Sequence, residues 1–571
     1  MFLRKRFLFL TALLSLAFPL FFEGLGASAE VKPAYDPSLI DYPGTKVVFH
    51  VAEQFPFFKS DIGFSETSRV SSTQDGRTVW CQSTKDPDCL NLPNGAYART
   101  LLPFCSSPQA ENCIEDLAFS VRGAEFEKAS YVRELNGYTI PADPELNFIG
   151  GKSASIWRAP NAKHVGQTDN YLVAGVLFWN FETKEFTPNS FQLSVIPFNP
   201  RQGAYAAETY ATEQEMESRA RNSQQWVGFA KRNIPKVVQG GLRQLDCFVY
   251  DDGMCGIKYD FEDNVKVKAT IRLPNKIGGW FRGRMLNPEI SVKKFSDTNN
   301  LVTVEANPVQ VPRLAYLADY YSLSPNDEKL YVDYFWGRAV PEDLLAGPEP
   351  DSGERAFGFI DKVRENLKDT ATGYTTFWNF TSTQAGRGSS CLTDTSNVLG
   401  IVSTNAMAFE ATAPRFNGET LDYKVAGLHY APGAISEVKG TYDLVMRSET
   451  ARCLYGFSNA PISATVSVTS ESGEPAIATT TISEKDGWLK LGAQNFTFSA
   501  PTVRVKLEQK IEKAPEPIAA PQETKMAEQN AASTAIPTPA KKIKSITCTK
   551  GKSSRKVSGV NPKCPAGYKK K

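Results

Sequence analysis

The sequence predicts a mainly β, multi-domain, sandwich-like protein with a few inserted helices, a disordered linker and a small basic tail. Three observations point there. Short apolar runs recur between turn residues, as strands do in all-β domains. Three segments depart from that pattern and take on helix-forming composition or periodicity. Near the C-terminus the chain first loses its aromatic residues and then becomes strongly basic.

The first element is an export signal. Arg4, Lys5 and Arg6 precede an apolar run over 7–22 that is broken by Pro19 and followed by Ala27-Ser28-Ala29. A charged start, an apolar middle and an A-x-A site make a secretory signal peptide. The 16-residue run is short of the ~20 residues that span a bilayer. Cleavage after Ala29 is expected, with no transmembrane anchor remaining and a secreted or envelope-associated product.

The next region, 30–305, is read as β-rich with local disulfides. Its strand signals lie at 46–51, 171–179, 191–198, 265–273, 289–295 and 301–305. Residues 206–232, rich in Ala, Glu, Gln and Arg, are expected to be helical. Residues 306–390 form a mixed helical and aromatic region. Ser324-Pro325-Asn326-Asp327 offers an N-cap, a proline at the first helical position and an early acid, so a helix follows and stops near Gly337. In a further helix over 353–368, Ala356, Ile360, Val363 and Leu367 share one face. Residues 391–510 read as a β-sandwich. Ser463 to Thr469 alternates polar and apolar, and strand signals follow at 476–482, 488–491, 496–498 and 503–507. Ser472-Gly473-Glu474 and Lys485-Asp486-Gly487 supply turns. Residues 511–545 are a linker whose Ala- and Pro-rich composition lacks the apolar surface to fold. Residues 546–571 are the tail.

The ten cysteines agree with export. An even count in an exported chain favours disulfides. Cys81 and Cys89, Cys105 and Cys113, and Cys247 and Cys255 are each eight apart, and Cys391 with Cys453 and Cys548 with Cys564 complete the set. Each nine-residue loop would constrain the unfolded chain by about 2.6 kcal/mol, and the Cys391–Cys453 loop by about 4 kcal/mol, on the entropy model. No pair has the close spacing that zinc sites favour, so no metal is expected.

Charge is unevenly placed. The chain is +2 overall, its first 29 residues +2 and residues 541–571 +11, so residues 30–540 are −11. Lys550, Lys552, Arg555, Lys556, Lys563, Lys569, Lys570 and Lys571 are candidate anion-binding residues. Outside a cell their partners would be wall polymer or another anionic surface polymer. Tyr568 stands alone among them, so the interleaved aromatics of nucleic-acid binding are missing and no specific nucleic acid is expected.

Chemistry-bearing motifs are scarce. The three histidines, His50, His164 and His429, lie in no G-x-S-x-G or H-E-x-x-H context. Gly150-Gly151-Lys152-Ser153 resembles the end of a phosphate loop, but Leu146 stands where its first glycine belongs, so it reads as a turn. Asp251-Asp252-Gly253 lacks a complete calcium-loop pattern and also reads as a turn. No cofactor is expected. The aromatic- and acid-rich stretch 316–343 supplies the best candidate surface. Tyr320, Tyr321, Tyr334 and Trp336, together with Trp280 of Trp280-Phe281-Arg282, are candidate glycan-binding residues, although core helices carry the same residue types. Asp319, Asp327, Glu328, Asp333, Glu342 and Asp343 are interspersed with them.

Ile546-Thr547-Cys548-Thr549-Lys550-Gly551-Lys552, with the stretch from Val560 through Cys564 and Tyr568 to Lys571, resembles the terminal module of uncharacterised actinobacterial secreted proteins. Ala451 to Phe457 with Asp486 to Leu489 resembles a domain that often precedes it. The resemblance implies an actinobacterial envelope or secreted protein and carries no activity and no functional residue. The expectation is an exported, non-enzymatic envelope protein. It would be attached by its tail and present its β body to an unknown glycan or protein. The alternative is a secreted carboxylate-dependent glycan hydrolase.

Overall fold

A computed structural model describes residues 46–509 and 544–570. The first span omits 52, 54–55, 68–75, 90, 137–138, 203–246, 252–253, 320–322, 335–344, 384–388, 459–460, 470–474, 477 and 499–501. The second omits 551–552, 560–562 and 565–567. The signal segment, the helix expected at 206–232 and residues 511–543 of the expected linker lie outside the described residues, while Lys544 and Ser545, expected to close that linker, begin the strand Lys544–Lys550. Two compact units divide the chain, Met1–Lys510 and Ile511–Lys571.

The protein is mainly β. The longest run of strands is one sheet of 15 among the described residues, and two of its central members are Asn170–Glu182 and Glu185–Gln202. Such strands need apolar residues on both faces, because both faces are covered. In Asn170–Glu182, Tyr171, Val173 and Leu177 enter one core while Leu172, Ala174 and Val176 enter another. Gly279–Arg284 behaves likewise: Phe281 belongs to the first core and Trp280 to a third. Val398–Thr404 is buried along its whole length for the same reason.

One face of this sheet packs on a five-stranded sheet that includes Cys113–Val121, Val265–Pro274 and Asn299–Asn307. Ile271, Val304 and Phe119 meet Tyr171, Leu193 and Phe380 there. The Phe119 and Tyr171 rings lie 4.4 Å apart, and the Trp378 indole donates to the Ala306 carbonyl at 3.0 Å. On the other face, a six-stranded sheet including Leu421–Ala426, Ile462–Thr469 and Thr502–Gln509 packs its Tyr423, Val468 and Val505 against Leu444, Met446 and Leu491.

Residues 391–510 therefore contribute strands to two facing sheets, as a sandwich does. The sheet formed by Thr479–Lys485, Trp488–Phe496, Gly440–Arg447 and Val398–Thr404 does not stop at the expected boundary, however. Val398–Thr404 pairs in parallel with Gly279–Arg284, which pairs with Asn379–Thr383, which pairs with Glu185–Gln202. Strands from 30–305, 306–390 and 391–510 thus interleave in one sheet. Local pattern marks a strand but does not name its neighbour.

Among the described residues there are three α-helices. Pro325–Tyr334 and Glu354–Arg364 lie where the sequence places them, and the second buries Ala356, Phe357, Phe359, Ile360 and Val363. Ser448–Tyr455 is an addition to the expected elements; it ends on left-handed Gly456, whose N–H returns to the Arg452 carbonyl. At Asp486-Gly487 both residues have positive φ, 52° and 78°, the two-residue turn that suits strand twist. At Gly150, whose φ is 72°, an added Cβ would stand 2.5 Å from the Ile140 carbonyl oxygen, so only glycine fits this close-packed turn.

Cys81–Cys89, Cys105–Cys113 and Cys391–Cys453 are disulfides, with Cα separations of 6.2, 5.0 and 5.9 Å. Cys564 is also disulfide-bonded. The side chains of Cys247 and Cys255 fall outside those described. Cys391–Cys453 ties the turn Ser390–Leu392 to helix Ser448–Tyr455. Replacing both cysteines by alanine is expected to lower unfolding stability by about 4 kcal/mol, read as a fall in urea midpoint, with a raised m-value because the released unfolded chain exposes more surface.

Burial also sets a pH response. Desolvation lowers the pKa of both His50 and His164 from 6.5 to about 4. His164 is neutral in its place: the Gly166 N–H donates to Nδ1 at 3.1 Å, and Nε2 donates to the Phe198 carbonyl at 3.2 Å. Between pH 6.5 and 4 the unfolded chain binds two protons that these folded histidines refuse, so stability falls as pH drops. Asp443, raised by burial to about 6, holds one proton in the folded state that the unfolded state lacks, and opposes the fall between pH 6 and 4. Asp443→Asn should therefore steepen the loss of stability between pH 6 and 4 by one proton. Urea unfolding at half-unit pH steps measures it.

Candidate functional site

The aromatic stretch expected to present a surface is largely packed. Tyr331 and Tyr334 are buried, and the Tyr334 ring meets Phe359 edge to face at 4.9 Å. Trp280 is 0% exposed. Trp280 and Tyr334 therefore offer no ring face to a sugar, and on these two residues the structure corrects the sequence reading. The correction has a physical cause: Trp280 alternates with Phe281 on a strand covered on both sides. Tyr320, Tyr321 and Trp336 lie outside the described residues. The acids nearby are engaged. Asp327 accepts from the Tyr316 hydroxyl at 2.8 Å and the Asn366 amide at 3.0 Å, and Asp333 pairs with Lys329 at 3.0 Å and Lys362 at 3.1 Å.

A different cluster forms on the central sheet. Register places Gln192 opposite Thr381 and Thr381 opposite Arg282; one pair further along, Ser194 faces Asn379 and Asn379 faces Arg284. Residues directly opposite in antiparallel strands share a face. Six polar side chains from three strands thus make two adjacent rows. The intervening residues Leu193 and Phe380, and Phe281 beside Arg282, point the other way into the first core.

Two shallow hollows open over these rows and share Asn379. The first is lined by Pro56, Ser194, Lys258, Thr376 and Phe377, among others; the second by Glu53, Gln192, Arg282, Arg284, Pro350, Asp351, Thr381 and Phe409. They are small, with room for about 20 and 30 Å³. Arg284 is anchored by Glu53 and donates to the Thr404 and Ala406 carbonyls at 3.0 and 2.6 Å. Its guanidinium lies 4.5 Å from the Phe409 ring centroid. Arg282 pairs with Asp351. Each cation here has its own carboxylate, so the second hollow is close to neutral. Two buried polar atoms nevertheless have no hydrogen-bond partner: the Ser194 hydroxyl and Arg282 Nε.

This arrangement can bind by hydrogen bonding. Its two carboxylates are held in ion pairs with the arginines. His429 sits elsewhere, its Nδ1 against Asp369, which also pairs with Arg364. Among the described residues no group of three or more His, Cys, Asp or Glu side chains is placed to hold a metal, and no helix is long and apolar enough to cross a membrane. No protein-family model matches the chain, and no curated protein matches it.

The tail carries its own small sheet. Lys544–Lys550 lies between Ser553–Gly559 and Lys569–Lys570. Register sets Cys548 opposite both Arg555 and Lys570, and Thr547 opposite Lys556. Lys563, Lys569 and Lys570 are exposed. Lys550 lies at a strand end with its side chain outside those described, as do those of Arg555 and Lys556, and Lys552 and Lys571 lie outside the described residues.

Of Trp280-Phe281-Arg282, Trp280 and Phe281 are buried, while Arg282 lines the second hollow. The sequence signal there is a pair of polar residues, Gln192 and Ser194, inside the otherwise apolar run 191–198. Asp351→Ala leaves the mostly buried Arg282 guanidinium without its counter-charge and is expected to cost about 3–5 kcal/mol. Replacing Arg282 and Asp351 together by Met and Leu should cost far less. Urea unfolding of the two variants decides it.

Proposed function

We propose that this is an exported envelope protein without catalytic activity, held to anionic wall or surface polymer by its tail and presenting its β body for binding. One observation carries the reading. The tail belongs to a compact unit of its own, Ile511–Lys571, and residues 541–571 bear eleven basic residues and no acid. A folded basic module concentrates charge, and at physiological ionic strength its attraction reaches about 8 Å. The disulfides support an oxidising compartment. The export signal and the tail's resemblance to actinobacterial secreted proteins point to the same address.

Co-sedimentation with purified cell walls tests this. The protein lacking residues 1–29 is compared with the same chain ending at Ala540, at 10 mM and 1 M salt. The expected result is pelleting at low salt that is lost at high salt and on truncation. Equal pelleting of both forms overturns the tether. Release of sugar fragments into the supernatant overturns the non-catalytic reading.

A further inference from the structure

At one end the central sheet stops on an uncovered strand. Thr479–Lys485 is paired on one side only, by a continuous register with Trp488–Phe496. Every residue along it is exposed. The turn at Asp486-Gly487 closes on Lys485 and Trp488 as a hydrogen-bonded pair, and such pairs alternate along an antiparallel ladder. Thr479, Thr481, Ser483 and Lys485 therefore turn their main-chain groups toward Trp488–Phe496, whereas Thr480, Ile482 and Glu484 turn theirs outward. Among the described residues no main-chain partner reaches those outward groups. Exposed edges are ordinarily blunted by a proline, a bulge, an inward lysine or a covering loop. This one runs Thr-Thr-Thr-Ile-Ser-Glu-Lys without a break in register, its single lysine beside the turn. At its midpoint Ile482 is 41% exposed.

We propose that this strand pairs antiparallel with its own counterpart in a second copy of the chain, about a two-fold axis at Ile482. The sequence is self-complementary in that register. Ile482 meets its own copy, Thr480 stands opposite Glu484, Thr481 opposite Ser483 and Thr479 opposite Lys485. No like charges face each other, and Glu484 is already held by Arg452 at 2.8 Å. The outward N–H groups of Thr480, Ile482 and Glu484 donate to the carbonyls of Glu484, Ile482 and Thr480 across the axis, so the free main-chain groups of the edge are all satisfied. The two Ile482 side chains, adjacent across the pair, shield each other from water. A different strand would need an apolar residue opposite Ile482 and no acid opposite Glu484; the strand itself meets both conditions. Two-fold closure consumes this edge, so pairing through it ends at two copies. Such a dimer carries two basic tails, which act together on one polymer; that consequence rests on the tether, whereas the dimer does not.

Sedimentation velocity of the chain lacking residues 1–29 tests this, over about a hundredfold range of concentration and at 10 mM and 1 M salt. The expected result is a monomer that becomes a dimer as concentration rises. The dimer should form equally in the chain ending at Ala540 and no more weakly at 1 M salt, because its contacts are main-chain and apolar. Ile482→Lys sets two like charges face to face and should weaken the dimer at least about tenfold, with the monomer's melting temperature unchanged because the side chain is exposed. Thr481 and Ser483 lie opposite each other across the axis as a close, non-hydrogen-bonded pair. The double variant Thr481→Cys, Ser483→Cys should therefore give a covalent dimer on mild oxidation. A monomer at every concentration overturns the proposal, as does a dimer that Ile482→Lys leaves unaltered or that the double variant does not cross-link. A dimer lost at 1 M salt, or lost in the chain ending at Ala540, overturns it in favour of basic tails gripping acidic bodies. Because the shorter chain has no tail, failure of the tether leaves this result readable.

Discussion

Burial of the central sheet on both faces is the constraint on which the rest of the structure depends. A strand with one wet face needs apolar residues only at alternate positions, whereas Val398–Thr404 and the heart of Asn170–Glu182 need them throughout. That requirement joins the two sandwiches. Trp280 fills one core and Phe281 the other, so neither packed layer can be removed without exposing the back of the other. It also fixes register, since a slip of one residue would exchange the two faces everywhere.

The same constraint gives the polar cleft its meaning. On a solvated face, Gln192, Ser194, Asn379 and Thr381 would be ordinary alternating polar residues. Between two cores they interrupt burial that the flanking residues of the same strands maintain. The arginines beside them show how such a floor is kept: each has a carboxylate, and Arg284 has two carbonyls as well.

Much of the local structure was legible. The run at 171–179 is apolar enough to announce a buried strand, Ser324-Pro325 announces a helix start, and eight-residue spacing announces Cys81–Cys89 and Cys105–Cys113. Helix Ser448–Tyr455 was not read, because its Cys453-Leu454-Tyr455-Gly456 run looks as much like a strand end and its length gives little periodicity. The merged sheet was not read either. Gly279–Arg284 carries no mark saying that its neighbours are Asn379–Thr383 and Val398–Thr404, about a hundred residues on. The cleft was hidden for the same reason: Glu53 and Arg284, or Gln192 and Thr381, meet only once long-range pairing is complete.

That pairing governs the order in which the chain can assemble. Gly279–Arg284 is flanked by two strands made later, and its parallel partner Val398–Thr404 is itself covered by Gly440–Arg447 and, beyond it, Trp488–Phe496. A chain emerging N-terminus first, whether from the ribosome or across a membrane, therefore holds an open, apolar strand edge until nearly all of its body has appeared. Contacts this distant in sequence slow folding and prolong exposure of unpaired edges. Completion of the sheet is a late, collective event, and the early disulfides Cys81–Cys89 and Cys105–Cys113 close loops that can form well before it.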